Sequence, residues 1–235
     1  MASPEYIEND HFIVEVIRTQ RLKSADIRVE DGAVSIVVPS ALETKRIAQL
    51  VDDKKTWIKN KISRHKEAQP ASLKKFTSGE SFSYLGKNYR LKVRSGAFQP
   101  VKLVRGYLTV TVPHGKKNPD AIRNALVHWY KEKAEIKLKE KADRILKSFN
   151  VSPKSIGIKS YKSRWGSCSK TGKIDFNWKI IMAPNRIVDY VVAHELCHLK
   201  HHDHSPKFWK AVERLIPDYA ECREWLKQHS ERLEV

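Results

Sequence analysis

Two stretches of alternating apolar and polar residues match one another along the chain. Ile27-Arg28-Val29-Glu30-Asp31-Gly32-Ala33-Val34-Ser35-Ile36-Val37-Val38-Pro39 lines up with Val101-Lys102-Leu103-Val104-Arg105-Gly106-Tyr107-Leu108-Thr109-Val110-Thr111-Val112-Pro113 at an offset of 74 residues. Each reads as a hairpin: a short strand, a turn at Gly32 or Gly106, then an alternating strand closed by proline. Each is followed by an amphipathic helix with a tryptophan near its middle. The first helix covers about Leu42–Lys66 with Trp57, the second about Pro119–Phe149 with Trp129. The shared proline and shared helix point to a duplication. Further strands are predicted at Phe12–Thr19 and Ser81–Val93, and a linker at Ala68-Gln69-Pro70-Ala71-Ser72.

Past Ser152-Pro153 the pattern changes. Strands are expected at Ile156–Tyr161 and Lys173–Ile181, paired as a hairpin, with a loop at Lys170-Thr171-Gly172. A helix begins after Pro184, with Asn185 as candidate N-cap, and another at Ser205 and Pro206, an N-cap followed by a favourable first helical residue. A last helix spans Asp218–Leu233, with Asp218 and Glu221 at capping-box spacing. The fold class is α+β. A β-rich scaffold carrying the hairpin-helix repeat occupies residues 1–115, and a smaller α+β core occupies 116–235.

Composition narrows the class. With 235 residues, 40% of them hydrophobic, and a mean hydropathy of −0.56, the chain suits one or two domains. It has no apolar run of transmembrane length and no basic, apolar leader at Met1–Tyr6. Three cysteines, Cys168, Cys197 and Cys222, without a CxxC pair argue for reduced thiols and a cytoplasmic location. Charge is concentrated: residues 51–200 hold 33 Lys and Arg against 12 Asp and Glu, a net of +21 within a total of +18. That excess fits an anionic partner, nucleic acid above all, although the Lys/Glu alternation over Lys131–Lys147 also fits a solvated helix face.

The chemistry concentrates in His194-Glu195-Leu196-Cys197-His198. Histidines at i and i+4 share one helix face about a turn apart, where two imidazoles can grip one metal ion. Glu195 points roughly 100° around the helix, beside the metal, where it can accept a proton from water. The preceding Ile187-Val188-Asp189-Tyr190-Val191-Val192-Ala193 is nearly all apolar, so this helix is buried. Burying His, Glu and His costs several kcal/mol unless they are paired or bind a metal.

His204 is the third-ligand candidate. On an unbroken helix it would lie about 9 Å beyond His198, too far for zinc–nitrogen bonds of about 2.0–2.1 Å. The chain must therefore leave the helix between Leu199 and Asp203, and the Ser205-Pro206 restart lets it do so. His201, His202 and a downstream Glu213 or Glu221 compete for the role. Cys197 faces another direction and reads as core.

Trp165-Gly166-Ser167-Cys168, Asn177, Tyr190, the His-Glu-Leu-Cys-His motif, His204-Ser205 and Phe208-Trp209 resemble the YgjP-like metallopeptidase family, and more distantly the SprT-like and WLM zinc proteases. The resemblance is good over about residues 100–230. It implies a zincin-like core in 116–235, with Zn2+ held by His194, His198 and His204 and Glu195 as the catalytic carboxylate. Family members often carry Ala at the position of Cys197. The spacing also matches metzincins, but His201 replaces their turning glycine. In zinc proteases of this kind a strand beside the metal helix pairs with extended substrate; Lys173–Ile181 or Ser163–Cys168 is that edge, and Trp165 is read as a core anchor. Arg164, Tyr161 and Tyr190 are candidate oxyanion donors.

Three functions follow. A zinc endopeptidase acts on a protein or peptide substrate, with nucleic-acid-associated proteins suggested by basic residues 51–200. A zinc-dependent nucleotide or phosphoester hydrolase would use the same charge, although no Gly-rich phosphate loop is present. A nucleic-acid-binding module with a structural metal is disfavoured, because structural zinc sites normally close with four protein ligands. No membrane partner is expected, and the pattern defines no oligomeric state.

Overall fold

The structure, a computed structural model, describes residues 5–8, 11–20, 24–30, 33–67, 74–97, 99–112, 118–147, 149 and 151–235. The Gly32 turn, the linker at 68–72 and Pro113 lie outside the described residues. The chain is α+β and divides into two compact units, one of residues 1–81, 90–129 and 235, the other of 82–89 and 130–234.

The first unit opens with β1 (Glu5–Glu8), β2 (Ile13–Thr19), β3 (Asp26–Glu30) and β4 (Ala33–Pro39), which form a sheet of order β1-β2-β4-β3. The central β2–β4 pair is parallel, and β3–β4 is the antiparallel hairpin expected from the sequence. Alternation places Val14, Val16, Val34, Ile36 and Val38 on one buried face. Helices α1 (Thr44–Asp53) and α2 (Lys55–Glu67) cover it through Ile47, Val51, Ile58 and Ile62. The single helix expected over Leu42–Lys66 is therefore interrupted at Lys54. The four consecutive charged residues from Asp52 to Lys55 offer no apolar contact to carry it across.

A second sheet contains β5 (Ser81–Tyr84), β6 (Lys87–Ser95), β7 (Gln99–Val104) and β8 (Tyr107–Val112) in the order β5-β6-β8-β7. Its β6–β8 pair is parallel and its β7–β8 pair antiparallel, so both sheets share one strand order. Val16 pairs with Ile36, and Val93 pairs with Val110 in the equivalent place. The strand expected over Ser81–Val93 is broken at Leu85 and Gly86, whose φ angles of 49° and 77° make a tight turn. Helix α3 (Pro119–Leu146) follows.

The second unit holds a three-stranded sheet of β9 (Ser155–Lys159), β10 (Gly166–Cys168) and β11 (Lys173–Asn177), in the order β10-β11-β9. This corrects the expected hairpin. β9 and β11 run parallel, and the true hairpin joins β10 to β11. A three-residue Gly-Ser-Cys strand carries no alternation, so periodicity passes over it. β11 stops at Asn177, whose side chain caps a 3-10 turn over Trp178–Met182. Helices α4 (Asn185–Cys197), α5 (Pro206–Leu215) and α6 (Tyr219–His229) complete the unit.

Helix α4 is buried at nine positions, Glu195 among them. Its start is fixed from outside. The β5–β6 turn packs so closely that a Cβ on Gly86 would lie 2.7 Å from Pro184 Cα, and Leu85 N–H donates to Ile181 O at 2.8 Å. The N-cap position is Pro184 rather than Asn185, whose amide donates to Asp189 instead. Asp189 also receives Lys141 Nζ at 2.7 Å and Arg144 Nη2 at 2.8 Å, which ties α4 to α3. Lys141 is buried in that pair, so not every lysine of the α3 run is solvated.

Candidate active site

His194 and Glu195 stand in the last turns of α4, and His198 occupies its C-cap. No glycine ends the helix. Leu199 N–H donates to Leu196 O, and Lys200 and His201 N–H both donate to Cys197 O, so the chain tightens before leaving. Asp203 Oδ1 accepts from Ser205 N at 3.3 Å, and α5 starts at Pro206. Ser205 takes the N-cap position without a side-chain bond, because Asp203 shapes the turn from before it.

This turn brings His204 back to the helix. One ring nitrogen from each of His194, His198 and His204 lies within 4.8 Å of the others, a group that could hold a metal ion. His194 Nε2 and His204 Nε2 are 3.2 Å apart. Two nitrogens bound tetrahedrally to one zinc at about 2.0–2.1 Å would stand about 3.3 Å apart, so the spacing fits such an ion. His198 Nδ1–H donates to His201 O at 2.9 Å, which turns the other ring nitrogen toward the group. Burial, His198, His204 and Arg223 push His194 down to about 3, and burial also lowers His198. Both rings are neutral near neutral pH, the form that offers a lone pair.

The competing ligands go elsewhere. His201 contributes its carbonyl, and His202 is exposed outside the group. Glu221 meets Arg186 at 3.3 Å, as does Asp218 at 3.1 Å, so neither caps α6 by its side chain. Cys197 is fully buried, and burial pushes its thiol up to about 12. All three cysteines are free. Beneath the three imidazoles lies Phe208, fully buried, stacked on His198 at 4.4 Å and edge-on to His194 and His204 at 4.9 Å.

Glu195 is 6% exposed. Burial carries its carboxyl up to about 8, and the Arg164 cation pulls the other way. Strand β10 passes directly over it: a Cβ on Gly166 would sit 2.5 Å from Glu195 Cγ and 2.6 Å from Oε1. Only glycine lets the strand approach this closely. Gly166→Ala is expected to push the carboxylate aside rather than break the fold, since the atoms in the way belong to a side chain. A displacement of about 1 Å costs on the order of a hundredfold in rate. The check is kcat alongside metal content, with the latter unchanged.

The loop before β10 is held by Asn177. Its Nδ2 donates to Tyr161 O and Arg164 O, both at 3.0 Å, and its backbone N–H to Trp165 O at 2.8 Å. Asn177→Ala should lower stability by about 1–3 kcal/mol, read by denaturant unfolding. Ser167, on β10, shares a 2.8 Å hydrogen bond with Tyr161. Trp165 is only partly buried, so it is not the core anchor expected.

A model of the YgjP-like metallopeptidase domain matches residues 23–229. The chain belongs to the YgjP-like metallopeptidase family. It is similar in structure to the metallopeptidase zymogen jannalysin of Methanocaldococcus jannaschii, at 26% identity and a TM-score of 0.35, over 39% of this chain and 94% of that one. It is also similar to the metallopeptidase zymogen abylysin of Pyrococcus abyssi, at 21% identity and 0.36, over 39% and 93%. A search of curated protein sequences returned no match.

Membership makes the chain a metal-dependent peptidase. Among the described residues no helix is long and apolar enough to cross a membrane. The structure brings together ring nitrogens of His194, His198 and His204, with the buried Glu195 next to His194 on α4, and it places further side chains around them. Phe208, one of the residues that carry the family resemblance, packs against all three imidazoles, and its i+4 spacing from His204 is a readable signal of that contact. Arg223 on α6 lies 5.2 Å over the Trp209 ring, and Trp209 stacks on His204 at 5.6 Å. Nothing local in the sequence joins Arg223 to a histidine some twenty residues earlier. Lys173–Ile181 is not a sheet edge, because β11 is central; β10, within the alternative stretch Ser163–Cys168, is one of the two edges.

Proposed function

We propose that this metallopeptidase hydrolyses peptide bonds in extended protein segments, with Zn2+ held by His194, His198 and His204 and with Glu195 as general base. The 3.2 Å separation of the His194 and His204 Nε2 atoms, beside a buried carboxylate, carries the reading. Three imidazole ligands favour zinc among divalent ions. When bound, the ion supplies a Lewis acid that acidifies water and polarises a carbonyl.

The chain's own groups do the rest. Glu195 accepts the proton lost by the attacking water and delivers it to the departing amine. Gly166 leaves room for the carboxylate, and Arg164 favours its ionised form. The free edge of β10 receives the substrate as an added strand, so that main-chain hydrogen bonds orient the scissile bond. Of the three oxyanion candidates, Tyr161 is engaged with Ser167 and Arg164 faces Glu195. Tyr190 packs edge-on to His194 at 5.8 Å, and its phenol, pushed up to about 12 by burial, stays protonated as a donor. Every residue given a role lies within 116–235, which supports that stretch as the catalytic core.

Zinc-loaded protein should cleave an unfolded protein substrate and leave nucleoside triphosphates intact. Triphosphate hydrolysis without peptide cleavage would overturn the assignment in favour of the phosphoester reading.

A further inference from the structure

From Ser81 to Pro119 the chain holds eight Lys and Arg and no Asp or Glu. Much of this run folds into β6, β8 and β7, which lie side by side. Their inner face is apolar: Leu91, Val101, Leu108, Val110 and Val112 are buried. The opposite face is assembled by register. Arg90 pairs with Tyr107, which pairs with Val104; Lys92 pairs with Thr109, which pairs with Lys102; Arg94 pairs with Thr111. Rows of this kind are about 6.7 Å apart along the strands and about 4.8 Å apart across them.

Four cations thus share one sheet face with no carboxylate, and none of them forms an ion pair among the described residues. An ordinary solvated face mixes both signs. Between these cations two large apolar groups stand in water: Tyr107 is 41% exposed and Val104 51% exposed, side by side in register. Lys92 Nζ lies 5.6 Å over the Tyr107 ring, which keeps the ring on this face. The first sheet has the same strand order but not the same face. Where Lys92 and Arg94 stand on β6, the equivalent places on β2 carry Glu15 and Ile17.

We propose that the β6-β8-β7 face binds single-stranded nucleic acid, with Arg90, Lys92, Arg94 and Lys102 on the phosphates and Tyr107 as a platform for a base. Charge complementarity selects a polyanion, and an exposed ring on a flat cationic sheet selects one whose bases are unpaired. A duplex hides its base faces, and a lipid surface has nothing to stack on the ring.

The full-length protein is titrated against fluorescein-labelled oligodeoxythymidylate, oligouridylate, a duplex of equal length and phosphatidylserine vesicles, with anisotropy or sedimentation as readout. A single-stranded oligomer binds more tightly than duplex or vesicles, and the two single strands differ only if the 2′-hydroxyl or the thymine methyl is read. Four phosphate contacts give a log K against log salt slope of about −3, and a Lys92→Ala/Lys102→Ala variant brings it to about −1.4. Tyr107→Ala weakens binding about five- to a hundredfold, while Tyr107→Phe keeps it. Thermal melting of each variant establishes that it is folded. The proposal fails if neither single strand binds, if vesicles or duplex bind better, or if folded Tyr107→Ala binds as the unsubstituted protein does.

Discussion

Glu195→Gln is expected to bind metal with unchanged stoichiometry and to cleave peptides about 10²–10⁴-fold more slowly. Glutamine has nearly the shape of glutamate, so the packing under Gly166 survives. The three histidines that could hold a metal are untouched, because Glu195 is outside that group. What disappears is basicity: an amide oxygen takes no proton from water near neutral pH. Stability should not fall, since burial already disfavours the charged carboxylate. Metal content, a thermal melt and kcat on one unfolded substrate suffice. A variant with bound metal and undiminished kcat would remove Glu195 from the mechanism. Gly166→Ala should resemble it in kind, through displacement rather than loss of the base.

The parts of this site legible in the sequence are those set by helical period and chain geometry. The i, i+4 histidines and the Ser205-Pro206 restart follow from rise and reach along one segment. Burial of α4 follows from its apolar run. The strand order of the second unit did not follow, because β10 is too short to show a period and β9 pairs with a strand it does not adjoin in sequence. Caps misled for a related reason. Asn185 and Asp218 each have a partner that competes with the helix end for the side chain: Asp189 one turn along the same helix for Asn185, and Arg186 on α4 for Asp218. Gly166 was visible as a residue but not as a requirement, since the need for it arises only where the strand crosses Glu195.

His204→Ala is expected to weaken metal binding at least about a hundredfold. His204 differs from the other two histidines in its support. His194 and His198 are set by one helix, whereas His204 is exposed and held by a turn, its ring lying on Trp209 at 5.6 Å and against Phe208 at 4.9 Å. Without it, two imidazoles remain, and loss of a ligand should exceed the roughly 10–100-fold cost of losing a ligand's hydrogen-bonding partner. Thermal stability reads this without any substrate. At metal a hundredfold above Kd the unsubstituted protein gains about 2.7 kcal/mol from binding, and a variant whose Kd has risen to the metal concentration gains about 0.4. Glu195→Gln keeps the full gain, so two variants with little activity separate cleanly by melting. His202→Ala keeps it too, being outside the group. If His204→Ala retained the gain and His202→Ala lost it, the third ligand would be the exposed neighbour, and the 3.2 Å contact would be an ordinary hydrogen bond between imidazoles.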